Sequence, residues 1–187
     1  MPAYACHVEA VAMKTLVDQL SQYADYHRDA RNILTHFLGV PMILLAVVIV
    51  LSRPAWEWGG AGVALSPAVL AALAASIYYM LLDMRYGLTL ALVLGVMLAL
   101  GAWLAQQSTA LWLGWGVGLF MVGWIIQFVG HYWEGRKPAF FDDIVGLLIG
   151  PLFVLAEMGF ALGLRKEVQQ AIEQRSGPVR TSARAAL

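Results

Sequence analysis

Charge is what this sequence has least of. Its twelve Lys and Arg and twelve Asp and Glu make up 13% of 187 residues, against roughly 25% in an ordinary soluble domain. No charged residue occurs from Gly59 to Leu82, and none from Tyr86 to Trp133. The formal net charge is zero, which argues against a nucleic-acid-binding surface. Cysteine is also nearly absent. Cys6 stands alone, which excludes an internal disulfide and a thiolate-based metal cluster. No GxGxxG or P-loop pattern is present, so no nucleotide or dinucleotide cofactor is indicated. The opening "MPAYACHVEAVA" lacks a basic stretch followed by a continuous apolar one and does not read as a signal peptide. Met13-Lys14 offers an alternative start, and His7 is given no role.

Hydrophobic residues, by contrast, make up 60% of the chain. Segments of roughly 20 apolar residues cross a bilayer as helices, because only a helix or closed barrel satisfies its own backbone groups in hydrocarbon. The expected fold is all-α, a polytopic membrane helical bundle with four transmembrane helices. Their ranges are about Ile33 to Leu51, Val63 to Leu82, Tyr86 to Leu104 and Leu111 to Tyr132. An amphipathic helix over Lys14 to Arg28 precedes them, with Leu16, Leu20, Tyr23 and His27 on one face. A fifth apolar stretch, Ile144 to Leu164, carries Glu157 and is expected to break at Gly150-Pro151, either re-entering or kinking as a fifth span. Re-entry, with both termini cytoplasmic, places eleven of the twelve basic residues on the inner side. Residues 1–13 read as a flexible extension, 14–165 as one membrane-embedded domain, and 166–187 as a polar tail whose end, "RSGPVRTSARAAL", is expected to be disordered. The glycines of "GWGVGLFMVG" read as helix contacts, and Trp56, Trp58, Trp103 and Trp112 as interface anchors.

The remaining polar residues collect in three groups that four crossings would bring to one side. They are His27, Arg28, Asp29, Arg31, Asn32 and His36; then Asp83; then Gln127, His131, Glu134, Arg136 and Lys137. Gln127, His131 and Glu134 are spaced i, i+4 and i+7, on one helix face. His27 and His36 would lie about 180° apart on one straight helix. A break between them, with Asn32 as the N-cap of a helix starting at Ile33, lets both rings turn toward His131. Three imidazoles with acids nearby suit a divalent metal such as iron, zinc or manganese. Ionisable groups at a membrane are costly and usually functional. Each histidine alone also reads as a snorkelling polar residue, Asn32 as a cap, Arg28 and Arg31 as positive-inside charges, and Asp83 as a partner of Arg85 or Arg136.

The segments "YHRDARNILTHFLGVP", "LLDMRYG", "IIQFVGHYWEGRKPA" and "GPLFVLAE" resemble the Mpo1-like family over about Lys14 to Leu164. The resemblance implies an iron(II)-dependent dioxygenase acting with O2 on 2-hydroxy fatty acids, shortening them by one carbon in fatty acid alpha-oxidation. It implies Fe(2+) held by His27, His36 and His131, with Glu134 as a further catalytic residue orienting His131. Arg28, Arg31, Asn32, Asp83, Gln127 and Lys137 would bind substrate or support the ligands. Arg28, Arg31 or Lys137 would hold the substrate carboxylate, and the acyl chain would enter sideways from the bilayer. Such a protein belongs in a bacterial inner membrane, or in the endoplasmic reticulum of a eukaryote, with its site on the cytoplasmic side; oligomers are compatible with it. The alternative is a small transporter or proton relay using Asp83, Glu157 and the histidines. A di-iron desaturase usually has eight or more histidines, and this chain has four.

Overall fold

A computed structural model of the chain describes residues 14–58, 63–138 and 145–181. The extension expected over 1–13, with Cys6 and His7, lies outside these described residues. Helix α1 (Leu16–Ala24) opens on a capping box: Thr15 Oγ1 accepts from the Asp18 amide, and the Asp18 carboxylate accepts from the Thr15 amide. It ends at Ala24, short of the expected Arg28, and buries Leu16, Leu20 and Tyr23. A turn carries the chain to α2 (Ala30–Leu51), capped by the Asp29 carboxylate on the Arg31 amide at 2.9 Å. The break between His27 and His36 is therefore present, but Asp29 makes it rather than Asn32. Asn32 lies in the first turn of α2, fully buried, where a carboxylate on another helix supplies its partner. Helix α2 continues through Pro41.

The second apolar stretch begins later than expected. Val63–Leu65 (β2) pairs antiparallel with Trp56–Trp58 (β1), and α3 (Pro67–Leu82) starts only after Ser66 caps it with Pro67 in the first turn. Then follow α4 (Met84–Ala105), α5 (Thr109–Glu134), α6 (Val145–Ala161) and α7 (Lys166–Ser176). The reversal expected at Gly150-Pro151 does not occur there. Helix α6 runs through Pro151, and the chain bends by 114° between α6 and α7 instead. Gly163 and Arg165, both at positive φ, make that turn. Residues 175–181 also differ from a disordered tail: Arg175 and Ser176 close α7, whose Val168 and Ile172 are buried, and Arg180 bridges to Asp29.

The bundle's outside is apolar. Helices α2, α4 and α5 are each long and apolar enough to cross a membrane, and α3 is a shorter apolar helix. Large side chains such as Leu92, Val96, Leu111 and Ile125 are more than half exposed, as lipid-facing residues are. Trp56 and Trp103 are exposed near one end of the bundle, whereas Trp112 is tied inward by its indole N–H to the Ile49 carbonyl at 2.7 Å. Inside, Leu20, Ile149, Leu152, Phe153, Ala156 and Ile172 are almost fully buried where α1, α6 and α7 meet the membrane helices.

The most extensive interface joins α2 to α5, and glycines set its closeness. A methyl on Gly123 would lie 2.7 Å from Ile43 Cγ1 and 3.0 Å from the Gly39 carbonyl oxygen. Gly114 and Gly118 on the same helix face open space, so the glycines expected as helix contacts divide into two faces. Gly123→Ala is expected to destabilise the protein by about 1–3 kcal/mol through overpacking. Gly118→Ala should be neutral or stabilising by up to about 1 kcal/mol, from helix propensity alone. Thermal unfolding of the two variants in detergent checks the contrast.

Candidate metal centre

One turn and two helices bring His27, His36 and His131 together. His27 lies in the turn after α1, His36 in the second turn of α2, and His131 near the C-terminus of α5. All three are buried, and one ring nitrogen from each lies within 4.8 Å of the others. Ring centroids are 4.4 Å apart for His27 and His36, 4.9 Å for His27 and His131, and 5.1 Å for His36 and His131. Seating α5 this close depends on Gly130, where a methyl would collide with Thr35 Oγ1 and Asn32 Oδ1.

The hydrogen bonds assign the protons. His27 Nδ1 is 2.7 Å from the Tyr23 carbonyl oxygen and His36 Nδ1 is 2.8 Å from that of Asn32. A carbonyl only accepts, so both Nδ1 atoms carry hydrogen and donate. In neutral rings this leaves two Nε2 lone pairs facing each other, at 3.0 Å. A proton is a poor remedy at this site. Burial holds the His27 imidazole well below its ordinary pKa, and the neighbouring His36 pushes it further the same way. A cation held by both nitrogens would resolve the clash, since the neutral imidazole nitrogen is the form that ligates a metal. His131 Nδ1 is buried without a hydrogen-bond partner. The donor set therefore fits a divalent metal without thiolates, and the carbonyl-anchored Nδ1 groups are the orienting contacts that metal-binding imidazoles commonly have.

Around the rings, Tyr23 stacks on His27 with centroids 4.1 Å apart and planes within 1°. Gln127, His131 and Glu134 are all buried, as their shared face requires. Glu134 does something other than orient His131 by a hydrogen bond. Its carboxylate accepts from the Asp29 amide at 2.8 Å and from Asn32 Nδ2 at 3.1 Å, and pairs with Arg180. It thus ties the end of α5 to the start of α2.

An apolar cavity of about 410 Å³ opens from His36 and His131 between α2, α5 and α6. Val40, Ile43, Leu44, Val47, Phe120 and Trp124 form its oily walls; Tyr23 and Gln127 face it beside the histidines. The cations expected to serve a substrate carboxylate do not line it. Arg28 is buried and its guanidinium is engaged with the Ala24, His27 and Gly177 carbonyls and with Glu157. Arg31 pairs with Asp29, holding that carboxyl below its usual range, and lies over Trp133. Lys137 is exposed. Asp83 caps α4 by accepting from the Arg85 and Tyr86 amides, and its ion pair is with Arg165 at 3.0 Å rather than with the side chain of Arg85 or Arg136.

A family described as "2-hydroxy-palmitic acid dioxygenase Mpo1-like" matches residues 13–162. The chain belongs to this Mpo1-like family. It is 33% identical over 160 residues, 84% of its own length and 87% of the relative's, to the 2-hydroxy-palmitic acid dioxygenase MPO1 of Saccharomyces cerevisiae. No solved structure matches it.

In this Mpo1-like chain, sequence reasoning missed Tyr23 and Arg180 as neighbours of the cluster. Tyr23 had a usable signal, since it precedes His27 by four residues on the same apolar face. Arg180 had none. Asn32 gives the direct test of the buried network, since its Nδ2 bonds both Glu134 and the Tyr26 carbonyl. Asn32→Ala is expected to cost about 1.5–3 kcal/mol, the range for a hydrogen bond to a charged group. Thermal unfolding of the metal-free protein measures it.

Proposed function

We propose that this membrane protein is an iron(II)-dependent dioxygenase that cleaves C1–C2 of 2-hydroxy fatty acids. The observation that carries the reading is a buried imidazole triad, with opposed Nε2 lone pairs, opening directly onto an acyl-sized apolar cavity. Membership of the family and identity to a relative named as a 2-hydroxy-palmitic acid dioxygenase support the same chemistry. His27, His36 and His131 would hold the iron. When bound, iron would supply the open coordination positions and redox chemistry that oxygenases require.

The overall reaction balances without another reductant. One 2-hydroxy acid and one O2 give the acid shorter by one carbon, one CO2 and one water, and the substrate supplies all four electrons. The absence of a nucleotide-binding motif from the sequence is compatible with that stoichiometry. The residues divide the remaining work. The Tyr23 and Asn32 carbonyls keep the Nε2 atoms of His27 and His36 unprotonated and aimed at one point. Val40, Ile43, Leu44 and Val47 would bury the acyl tail and keep water from the reacting end. Tyr23 and Gln127 line the cavity beside the histidines and would meet the 2-hydroxyl and carboxylate. The substrate head would then be held by the metal and these groups, since Arg28 is committed to Glu157.

The chain would cross the membrane several times with the histidines at the cytoplasmic rim. Lys14, Arg28, Arg31, Arg136 and Lys137 cluster on the side of the bundle that carries the triad.

Anaerobic purification followed by metal analysis should find about one iron per chain. Adding 2-hydroxypalmitate and O2 should yield pentadecanoate by mass spectrometry; a metal-free protein that still turns over would overturn the proposal. His131→Ala should lose both iron and activity. Val47→Trp, which fills the lipid-facing side of the cavity, should keep its iron and lose at least about tenfold in kcat/KM, through lost uniform and transition-state binding of the chain. Equal losses in iron and activity in that variant would contradict the assignment of the cavity to substrate.

A further inference from the structure

Residues 177–181 lie alongside the turn that carries His27. The Arg180 amide donates to the Arg28 carbonyl at 2.7 Å, and the Ala30 amide donates to the Arg180 carbonyl at 3.0 Å. This is a parallel bridge between Asp29 and Arg180. Two side chains add to it: Arg28 Nη1 donates to the Gly177 carbonyl at 3.2 Å, and Ser176 Oγ to that of Ser21 at 2.9 Å. The Arg180 guanidinium then reaches the Glu134 carboxylate. The two partners are unlike in exposure: the Glu134 side chain is 1% exposed and that of Arg180 57%. The cation therefore covers a buried anion from the solvent side.

We propose that Arg180 is a positioning residue for the histidine cluster. Its main chain clamps the turn that bears His27, and its side chain neutralises Glu134, three residues beyond His131, so the C-terminal segment sets the distance between the two rings. The proposal rests on the reading of the triad as a metal site.

The physical need is specific to His27. His36 and His131 are on long helices, whose backbones are rigid, while His27 is on a short turn, and sites on loops are held less accurately than sites on helices. Its ring is hinged to α1 through the Tyr23 carbonyl. On the other side, the chain is held by Arg28 C=O, Asp29 N–H and Ala30 N–H, and all three end on Arg180 or Glu134. Truncating the Arg180 side chain leaves Glu134 without its cation, and removing the Arg180 amide frees the Arg28 carbonyl. Contacts of this kind around a metal typically change affinity by about 10–100-fold.

The test uses full-length protein in detergent and Co(II), whose absorption reports its ligands. Arg180→Ala should weaken Co(II) binding about tenfold and alter the absorption bands, with Arg180→Lys restoring part of both. Arg180→Pro, which lacks the amide donated to Arg28, should weaken binding through the backbone alone. In the metal-free protein, hydrogen exchange at the Ala30 amide should speed up in Arg180→Pro, which loosens the strap that accepts from it, while exchange at Gly123 in mid-helix stays unchanged. Wild-type-like cobalt affinity and spectrum in both Arg180→Ala and Arg180→Pro would overturn this proposal and leave the metal reading standing. A wild-type chain that takes up no divalent metal would overturn both.

Discussion

Two buried imidazole nitrogens, His27 Nε2 and His36 Nε2, face each other at 3.0 Å with their Nδ1 atoms already committed to backbone carbonyls. Bare neutral rings in that arrangement oppose lone pairs, and burial makes a proton an unfavourable mediator for His27. Much of the bundle's polar architecture is intelligible as what holds this otherwise repulsive pair in place. Tyr23 stacks on one ring, and the break before α2 turns that ring back toward the other. His131 completes the group from α5, which can come close only because position 130 has no side chain.

The same approach of α2 and α5 forms the apolar cavity. Close packing at Gly39 and Gly123 brings the helices together, and α6 provides the third wall with Gly146, Leu147 and Pro151. The rings thus stand where an oily space meets a charged rim, an arrangement suited to a molecule with a long tail and a small polar head. The rim itself is almost wholly self-satisfied. Arg28 is paired with Glu157, Asp83 with Arg165 and Glu134 with Arg180, so these cations and acids serve the framework. The polar side chains that line the cavity are imidazoles, a phenol and an amide.

The helical class and the meeting of the three histidines were legible, the first from apolar runs and the second from expected crossings that bring the polar groups to one side. Apolar runs set the helices, and the i, i+4, i+7 spacing of Gln127, His131 and Glu134 set a face. The need for a break between His27 and His36 was also legible, from helix geometry alone. Which residue makes the break was not: Asp29 and Asn32 are comparable caps, and tertiary contact with Glu134 decides between them. The start of α3 was misplaced because Val63 to Leu65 is as apolar as a helix, and only pairing with β1 makes it a strand. Gly150-Pro151 read as a break, yet packing of α6 keeps it helical, and the bend falls on positive-φ residues further along. The strap over residues 177–181 left no trace in composition, since much of it is main-chain hydrogen bonding, which any polar sequence can supply.

The most direct measurement is X-ray absorption at the iron edge on protein loaded anaerobically with one equivalent of Fe(II). The account predicts the outer-shell scattering of three imidazole rings per iron, and loss of protein-bound iron in His27→Ala as in His131→Ala. Iron surrounded by oxygen donors, with one imidazole or none, would contradict it.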